Sequence, residues 1–460
     1  MTRQIRKLST AAEFLTCARI QAIAYPGSSR TVEATAEMFQ TTQAGQSDSH
    51  FWGVFENAAA PAAREPAVPA AGERMVGCLR LLDFTMNYHG ALIPAGGVGA
   101  IAVDLAERKR GIAKDIVTFF LDRCAAEGQY LAYLYPFRPD FYYRMGFGYG
   151  PKVNQYAFLP TALPYTPTGE RVAYLTPDDT PLVAELCART VARQHGMCLK
   201  TPFQIEGMMK RHETRTLVGW KKDGRLRGYL AYDFRKASQT NPMKNDLNIA
   251  YWEWDSPEAF GVLCNFIRSL ADQVHRVLYA THQADFHFLL ADVRNYTDNL
   301  IFPHVGHEVN TAGVGVMYRI VDLDRFLEAT AAGRDYNGVT AKVALEVTDT
   351  FRPANGGRRY LAFEGGKLRH LSREPLADGT ASTASTASTA GTAGTAGTAG
   401  TAADYIPLSI GINELASLLM GSVDVATLHR YGLVKTPEGT LLLLGQLFRA
   451  GQKPENITYF

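Results

Sequence analysis

Arg108, Lys109 and Arg110 stand directly before Gly111 in the stretch IAVDLAERKRGIAKDIV (101–117), where a short apolar run gives way to apolar residues at helical spacing. A helix starting there presents unpaired amide N–H groups and the positive end of its dipole. Cations at that end oppose the dipole, so their placement asks for a compensating anion such as a pyrophosphate. Gly111 lets such a ligand approach the backbone closely. The pattern is not a P-loop, because no GxxxxGK followed by Ser or Thr is present. Nor is it the dinucleotide fingerprint, because GGVGAIAV precedes its strand instead of following it. The competing reading is an ordinary solvated basic turn.

The elements around this junction have to position it. The first unit (1–155) reads as helices at 10–23 and 32–41, strands at 51–56 and 75–86, and a strand ending at Val103. Thr10 and Glu13 have capping-box spacing. A helix over 111–126 follows, then the β-prone QYLAYLYPF (129–137), a helical turn in RPDFYYRM, and a strand beginning in FGYG. The Ala- and Pro-rich stretch 57–73 reads as a surface insertion.

A second unit (156–305) repeats this order. Helices near 178–194 and 202–212 lead to two strands around an Asp223-Gly224 turn, and LNIAYWEWD is a further strand. Ser256-Pro257-Glu258 is a good helix start. Its strand-to-helix junction, WEWDSPEAFG, has neither the basic cluster nor the glycine. A duplicated fold with one working copy follows. The third unit (306–460) alternates strands (315–321, 342–348, 358–364, 404–410) with helices (412–420, 423–430, 439–449). Its Thr/Ala/Ser/Gly repeat at 379–403 cannot bury enough apolar area to offset its ordering entropy and reads as a disordered loop.

Arg108, Gly111 and Ala113 resemble the R/Q-x-x-G-x-G/A coenzyme A motif of the GNAT acetyltransferases, and Tyr142, Gly146 and Phe147 resemble that superfamily's Y-x-x-x-G-F/Y. Over all three units, including the YRIVDLDRFLEA junction (318–329), the chain resembles the Eis (enhanced intracellular survival) family of N-acetyltransferases. The resemblance implies an α/β (α+β) fold: tandem GNAT-type domains followed by a sterol-carrier-like domain. It implies acetyl-CoA as co-substrate. The backbone of Ile101, Ala102 and Val103 would bind the pantetheine arm. Arg108, Lys109, Arg110, Gly111, Ile112, Ala113 and Lys114 would hold the pyrophosphate, and Phe137 and Arg138 would border the thioester. Tyr142 would be the general acid, and the α-carboxylate of Phe460 the general base. Family members that modify polycationic antibiotics carry a glutamate just before the last residue, where this chain has Tyr459, and QAIAYPGSSR holds no acid. A less charged or aromatic amine is therefore at least as good a candidate acceptor as a polycationic antibiotic, and the sequence does not name the amine. The resemblance also implies a homo-oligomer, a hexamer.

The bulk numbers set limits. A net charge of +2 gives no global pull toward nucleic acid or acidic membranes. The six cysteines form no CxxC pair or metal-ligand spacing, HVGH (304–307) has no third ligand, and no metal is expected. The first residues read as an amphipathic helix rather than a signal peptide, and no window is apolar enough to span a membrane, so a cytoplasmic protein is expected. The rival reading is a binding protein on an inactive acetyltransferase scaffold. An intact RKRGIA loop argues against it.

Overall fold

The computed structural model describes residues 3–27, 30–46, 48–57, 73–210, 215–376, 404–456 and 458. The insertion at 58–72 and the repeat at 379–403 lie outside the described residues. The first unit runs β1 (Arg3–Lys7), α1 (Ala11–Ala24), α2 (Val32–Gly45), β2 (Ser49–Asn57), β3 (Glu73–Tyr88), β4 (Ala91–Val103), α3 (Ile112–Ala126), β5 (Leu131–Leu134), α4 (Pro139–Tyr143) and β6 (Gly148–Tyr149). Thr10 and Glu13 form the expected capping box on α1. Ile112, Ile116, Val117, Phe120, Leu121 and Cys124 recur at helical spacing and bury one face of α3 against the sheet. β1 has only Ile5 as an apolar residue and becomes a strand by pairing, with Ile5 opposite Val54 of β2.

The second unit contains β7 (Val153–Phe158), β8 (Ala173–Tyr174), α5 (Thr180–Arg193), α6 (Pro202–Met209), β9 (Arg215–Lys222), β10 (Arg225–Lys236), β11 (Asn245–Trp254), α7 (Pro257–Ser269), β12 (Val274–Thr281), β13 (Leu300–Phe302), β14 (Val305–His307) and β15 (Asn310–Gly313). Asp223 and Gly224 both take positive φ, as a tight hairpin turn requires. The rest of the chain contributes β16 (Met317–Ile320), α8 (Leu323–Ala331), β17 (Ala341–Thr348), β18 (Gly357–Glu364), β19 (Lys367–Ser372), β20 (Ile406–Gly411), α9 (Ile412–Leu419), α10 (Val425–Arg430), β21 (Val434–Lys435) and α11 (Leu441–Phe448).

Three main sheets result, ordered β1-β2-β3-β4-β5-β16-β6, β15-β7-β12-β11-β10-β9-β8 and β19-β18-β17-β20-β21. Two strands that lie wholly within the span read as the third unit (306–460) join other sheets, and β15 is one of them, paired with β7 in the second sheet. The segment 315–321, expected in the third unit, forms β16 inside the first sheet, antiparallel to both β5 and β6. Every residue of β16 is buried. Met317 packs into the first unit's core while Tyr318 and Ile320 face the core shared with the third unit. A short, wholly buried strand looks the same in sequence whichever sheet it joins.

Arg319 of β16 is also fully buried and pairs with Asp349 at 2.6 Å. The other Asp349 oxygen accepts the amides of Phe351 and Arg352 at 3.1 and 2.9 Å. Asn355 donates to Asp349 and to the Ile320 carbonyl, both at 3.2 Å. This network fastens the first sheet to the third unit. Removing one partner strands a buried charge, so Asp349→Ala is expected to cost about 3–5 kcal/mol in denaturant unfolding.

Candidate active site

The site begins where two parallel strands diverge. β4 and β5 pair through Ala95–Leu131, Gly96–Ala132 and Gly97–Tyr133, and no further. Gly96 is needed for close approach, because a Cβ there would overlap Cys124 of α3 and meet Gln129 at 2.8 Å. Beyond Gly97, β4 bulges. It fits one more residue than β3 between the pairs Gly99–Arg80 and Ala102–Cys78, and Ala100 takes φ +50°. Gln21 of α1 and Tyr25, the residue that caps the end of that helix, hold the bulge. Gln21 donates to the Ala100 carbonyl at 3.1 Å and the Tyr25 hydroxyl donates to the Ile101 carbonyl at 2.5 Å. Residues 101–103 are left with no strand partner on the β5 side.

The basic loop then turns into α3. Asp104 caps a short turn by accepting the Ala106 amide at 2.9 Å. Lys109 and Gly111 adopt φ +65° and +82°. Gly111 is the N-cap of α3 and supplies no side-chain acceptor, so the first amides of that helix keep their capacity to bind an anion. Arg108 and Lys109 are exposed and form no ion pair among the described residues. Arg110 behaves differently. It pairs with Glu56 at 3.1 Å and with Glu107, while Glu56 also binds Arg3 at 2.7 Å. These carboxylates brace the loop and turn Arg110 aside.

A cavity of about 590 Å³ occupies this opening. Its lining includes residues 101–103, 108, 109 and 111–114 together with Phe137, Arg138 and Tyr142. Of the expected coenzyme residues, Arg110 does not line it. Phe137 is 77 % exposed and meets Tyr25 edge-on at 5.8 Å. Arg138 pairs with Asp140 at 2.8 Å. Tyr142, on α4, is 7 % exposed, and its hydroxyl has no hydrogen-bond partner among the described residues. Burial, with Tyr25 nearby, pushes this phenol above its ordinary value. Sequence reasoning missed Gln21, Tyr25 and Phe141. The first two are four residues apart at the C-terminal end of α1, a spacing that was visible in principle.

Phe460 lies outside the described residues, but the chain leading to it is docked. The Glu455 amide donates to the His195 carbonyl at 2.8 Å. The Asn456 carbonyl accepts from the Tyr135 hydroxyl at 3.0 Å and lies 2.9 Å from His282 Nε2. Asn456 and Thr458 are buried. Tyr135 is two residues before Phe137, at the rim of the cavity.

Residues 4–150 match an acetyltransferase (GNAT) domain family, and residues 172–320 match another acetyltransferase (GNAT) domain family. The chain belongs to the GNAT acetyltransferases. Residues 323–455 match a sterol carrier protein domain. No curated protein matches the sequence. Among solved structures, a GCN5-related N-acetyltransferase from Anabaena variabilis superposes with a TM-score of 0.73 at 18 % identity, over 100 % of both chains. A probable N-acyltransferase from Enterococcus faecalis gives 0.70 at 17 %, also over 100 % of both. Eis1 from Mycobacterium abscessus gives 0.69 at 18 %, again over 100 % of both. At such identities the likeness is one of fold, and it gives this GNAT protein the Eis-like arrangement of two acetyltransferase domains and a sterol carrier domain. Acetyl transfer from acetyl-CoA is the chemistry of GNAT domains in general. Among the described residues of this GNAT protein, no helix is long and apolar enough to cross a membrane.

Gly111 is required by conformation, not by space. A Cβ there would meet nothing within 4 Å, yet φ is +82°. Gly111→Ala is expected to cost about 1–2 kcal/mol in denaturant unfolding, without the repacking that Gly96→Ala would force.

Proposed function

We propose that this GNAT protein moves the acetyl group of acetyl-CoA to an amine of a small molecule or peptide, by direct attack within a ternary complex. The observation that carries the reading is convergence. An unpartnered strand edge, an uncapped helix N-terminus, two cations without ion pairs among the described residues and a buried tyrosine all border one cavity. This donor set suits coenzyme A. The backbone at 101–103 receives the pantetheine arm as an added strand. The amides at 111–114 and the side chains of Arg108, Lys109 and Lys114 hold the pyrophosphate. Arg110 acts through the loop it braces.

Acetyl-CoA supplies an acetyl group activated as a thioester. The cleft holds that group beside the amine, which replaces a bimolecular encounter with a positioned one. As the N–C bond forms and the C–S bond breaks, the Phe460 carboxylate takes the amine proton and Tyr142 gives a proton to sulfur. The tail's course supports the first role, since four residues beyond Asn456 extend about 14 Å. An α-carboxyl near its ordinary pKa of about 3.5 is a weak base, so the apolar chain end has to shield it from water. For Tyr142, the desolvation that raises its pKa also strengthens a thiolate formed beside it, so proton transfer stays favourable. No cysteine is among the residues lining the cavity, and the six thiols are buried, in keeping with attack without an acyl-enzyme. Tyr25, Phe137 and Phe141 at the rim favour an aromatic or weakly charged amine.

Adding one glycine after Phe460 displaces the carboxylate and is expected to lower kcat at least about 100-fold, with Tyr142→Phe losing about 10–100-fold. Undiminished turnover in the extended chain refutes the terminal base. Because the phenol's pKa is raised, its neutral form persists, and no alkaline loss of activity from Tyr142 is expected up to about pH 10. In calorimetric titration, Arg108→Ala is expected to weaken coenzyme A binding about tenfold, the worth of a charge-assisted contact. Arg110→Ala is expected to leave that affinity nearly unchanged and to lower the unfolding midpoint instead.

A further inference from the structure

The second GNAT unit repeats the divergence of strands. β11 and β12 pair in parallel as far as Ile249–Tyr279 and then separate, and a cavity of about 530 Å³ lies beyond. It occupies the same place in its unit as the coenzyme cavity does in the first, with opposite chemistry. The N-terminus of α7 is closed by Ser256, whose hydroxyl accepts the Ala259 amide at 3.2 Å. Asp255 stands where the first unit has its cations. A pyrophosphate would meet a capped helix and a carboxylate.

The walls are aromatic. Trp252 stacks on Phe260 at 5.3 Å and meets Tyr279 edge-on at 5.3 Å, and Trp254 lies 4.6 Å from Phe260. Three carboxylates line the same cavity, and two are neutralised. Glu253 pairs with Lys200 at 2.8 Å, and Asp255 pairs with Arg227 at 2.8 Å and Arg189 at 3.4 Å. The third, Glu455, comes from the C-terminal tail. It accepts from the Gln283 amide at 2.8 Å and has no ion pair among the described residues. Burial holds its carboxyl above the ordinary range although Gln283 and His282 act the other way. Trp252 Nε1 and Glu253 Oε2 are buried without a partner among the described residues. Arg193, a cation at the rim, is exposed and donates to the Asp255 carbonyl at 2.8 Å. Glu455, Trp254 and Phe260 also border an adjoining cavity, so the hollow continues beneath the tail.

We propose that this second cleft binds a small organic ammonium ion, held between the faces of Trp252, Trp254, Phe260 and Tyr279 and the carboxylate of Glu455. Aromatic faces attract a cation most strongly where water is excluded, and a cation here gives Glu455 an ion-pair partner. The cavity has the size of a small-molecule site. A quaternary ammonium fits these requirements and has no N–H to acetylate, so its binding is separable from turnover in the first unit.

The test is calorimetric titration of the full chain with benzyltrimethylammonium, alone and with the first cleft saturated by coenzyme A. One ion is expected to bind per chain with or without coenzyme A. Glu455→Gln, which keeps the shape of the side chain, and Trp254→Leu are each expected to weaken it at least tenfold. Coenzyme A binding by both variants checks that they are folded and tests the first cleft independently. No binding by the parent chain, loss of binding when coenzyme A is present, or unchanged affinity in either folded variant overturns the proposal.

Discussion

The site depends on the point at which β4 and β5 stop pairing. Up to Gly97 and Tyr133 they are neighbours in a parallel ladder, and past it each needs other partners for its backbone groups. β5 is held along its other edge by β16, which pairs with Leu131–Leu134. β4 finds a partial partner in the side chains of Gln21 and Tyr25, which take the carbonyls of the bulge. The edge left over faces a cavity. A strand edge without a strand partner beside an uncapped helix N-terminus concentrates polar backbone groups in one place.

Electrostatics then divides the labour inside a short loop. Of three adjacent cations, one serves the structure, since Arg110 lies between Glu56 and Glu107. Arg108 and Lys109 stay at the surface, where bringing in an anion relieves the repulsion between their charges and the helix dipole. The tail adds a long-range element. It borders the second unit's cavity at Glu455 and is held at Asn456 by Tyr135 and His282.

The duplication shows how little of a fold's geometry commits it to one chemistry. In both GNAT units a pair of parallel strands separates beside a helix N-terminus, and both leave a cavity of similar size. A glycine with positive φ and exposed cations make one of them suit a phosphate. A serine cap, an aspartate and a set of indole and phenyl faces make the other suit a cation.

Much was legible in the chain itself. The basic cluster at a strand-to-helix junction, the glycine after it, the capping box of Thr10 and Glu13 and the repeated order of elements are local patterns, and local patterns survive folding because they depend on near neighbours and backbone preference. The loop that borders the first cavity could thus be picked out from the sequence. Folding alone decided the rest. It turned Arg110 away from its neighbours by placing Glu56, more than fifty residues earlier in the chain, beside it. It also moved β16 out of the third unit and into the first sheet, brought Gln21 and Tyr25 to the bulge, and laid Glu455 against a tryptophan cleft. In each case the partner is distant in sequence, and which of several chemically equivalent partners wins is set by packing, a property that no stretch of sequence contains on its own.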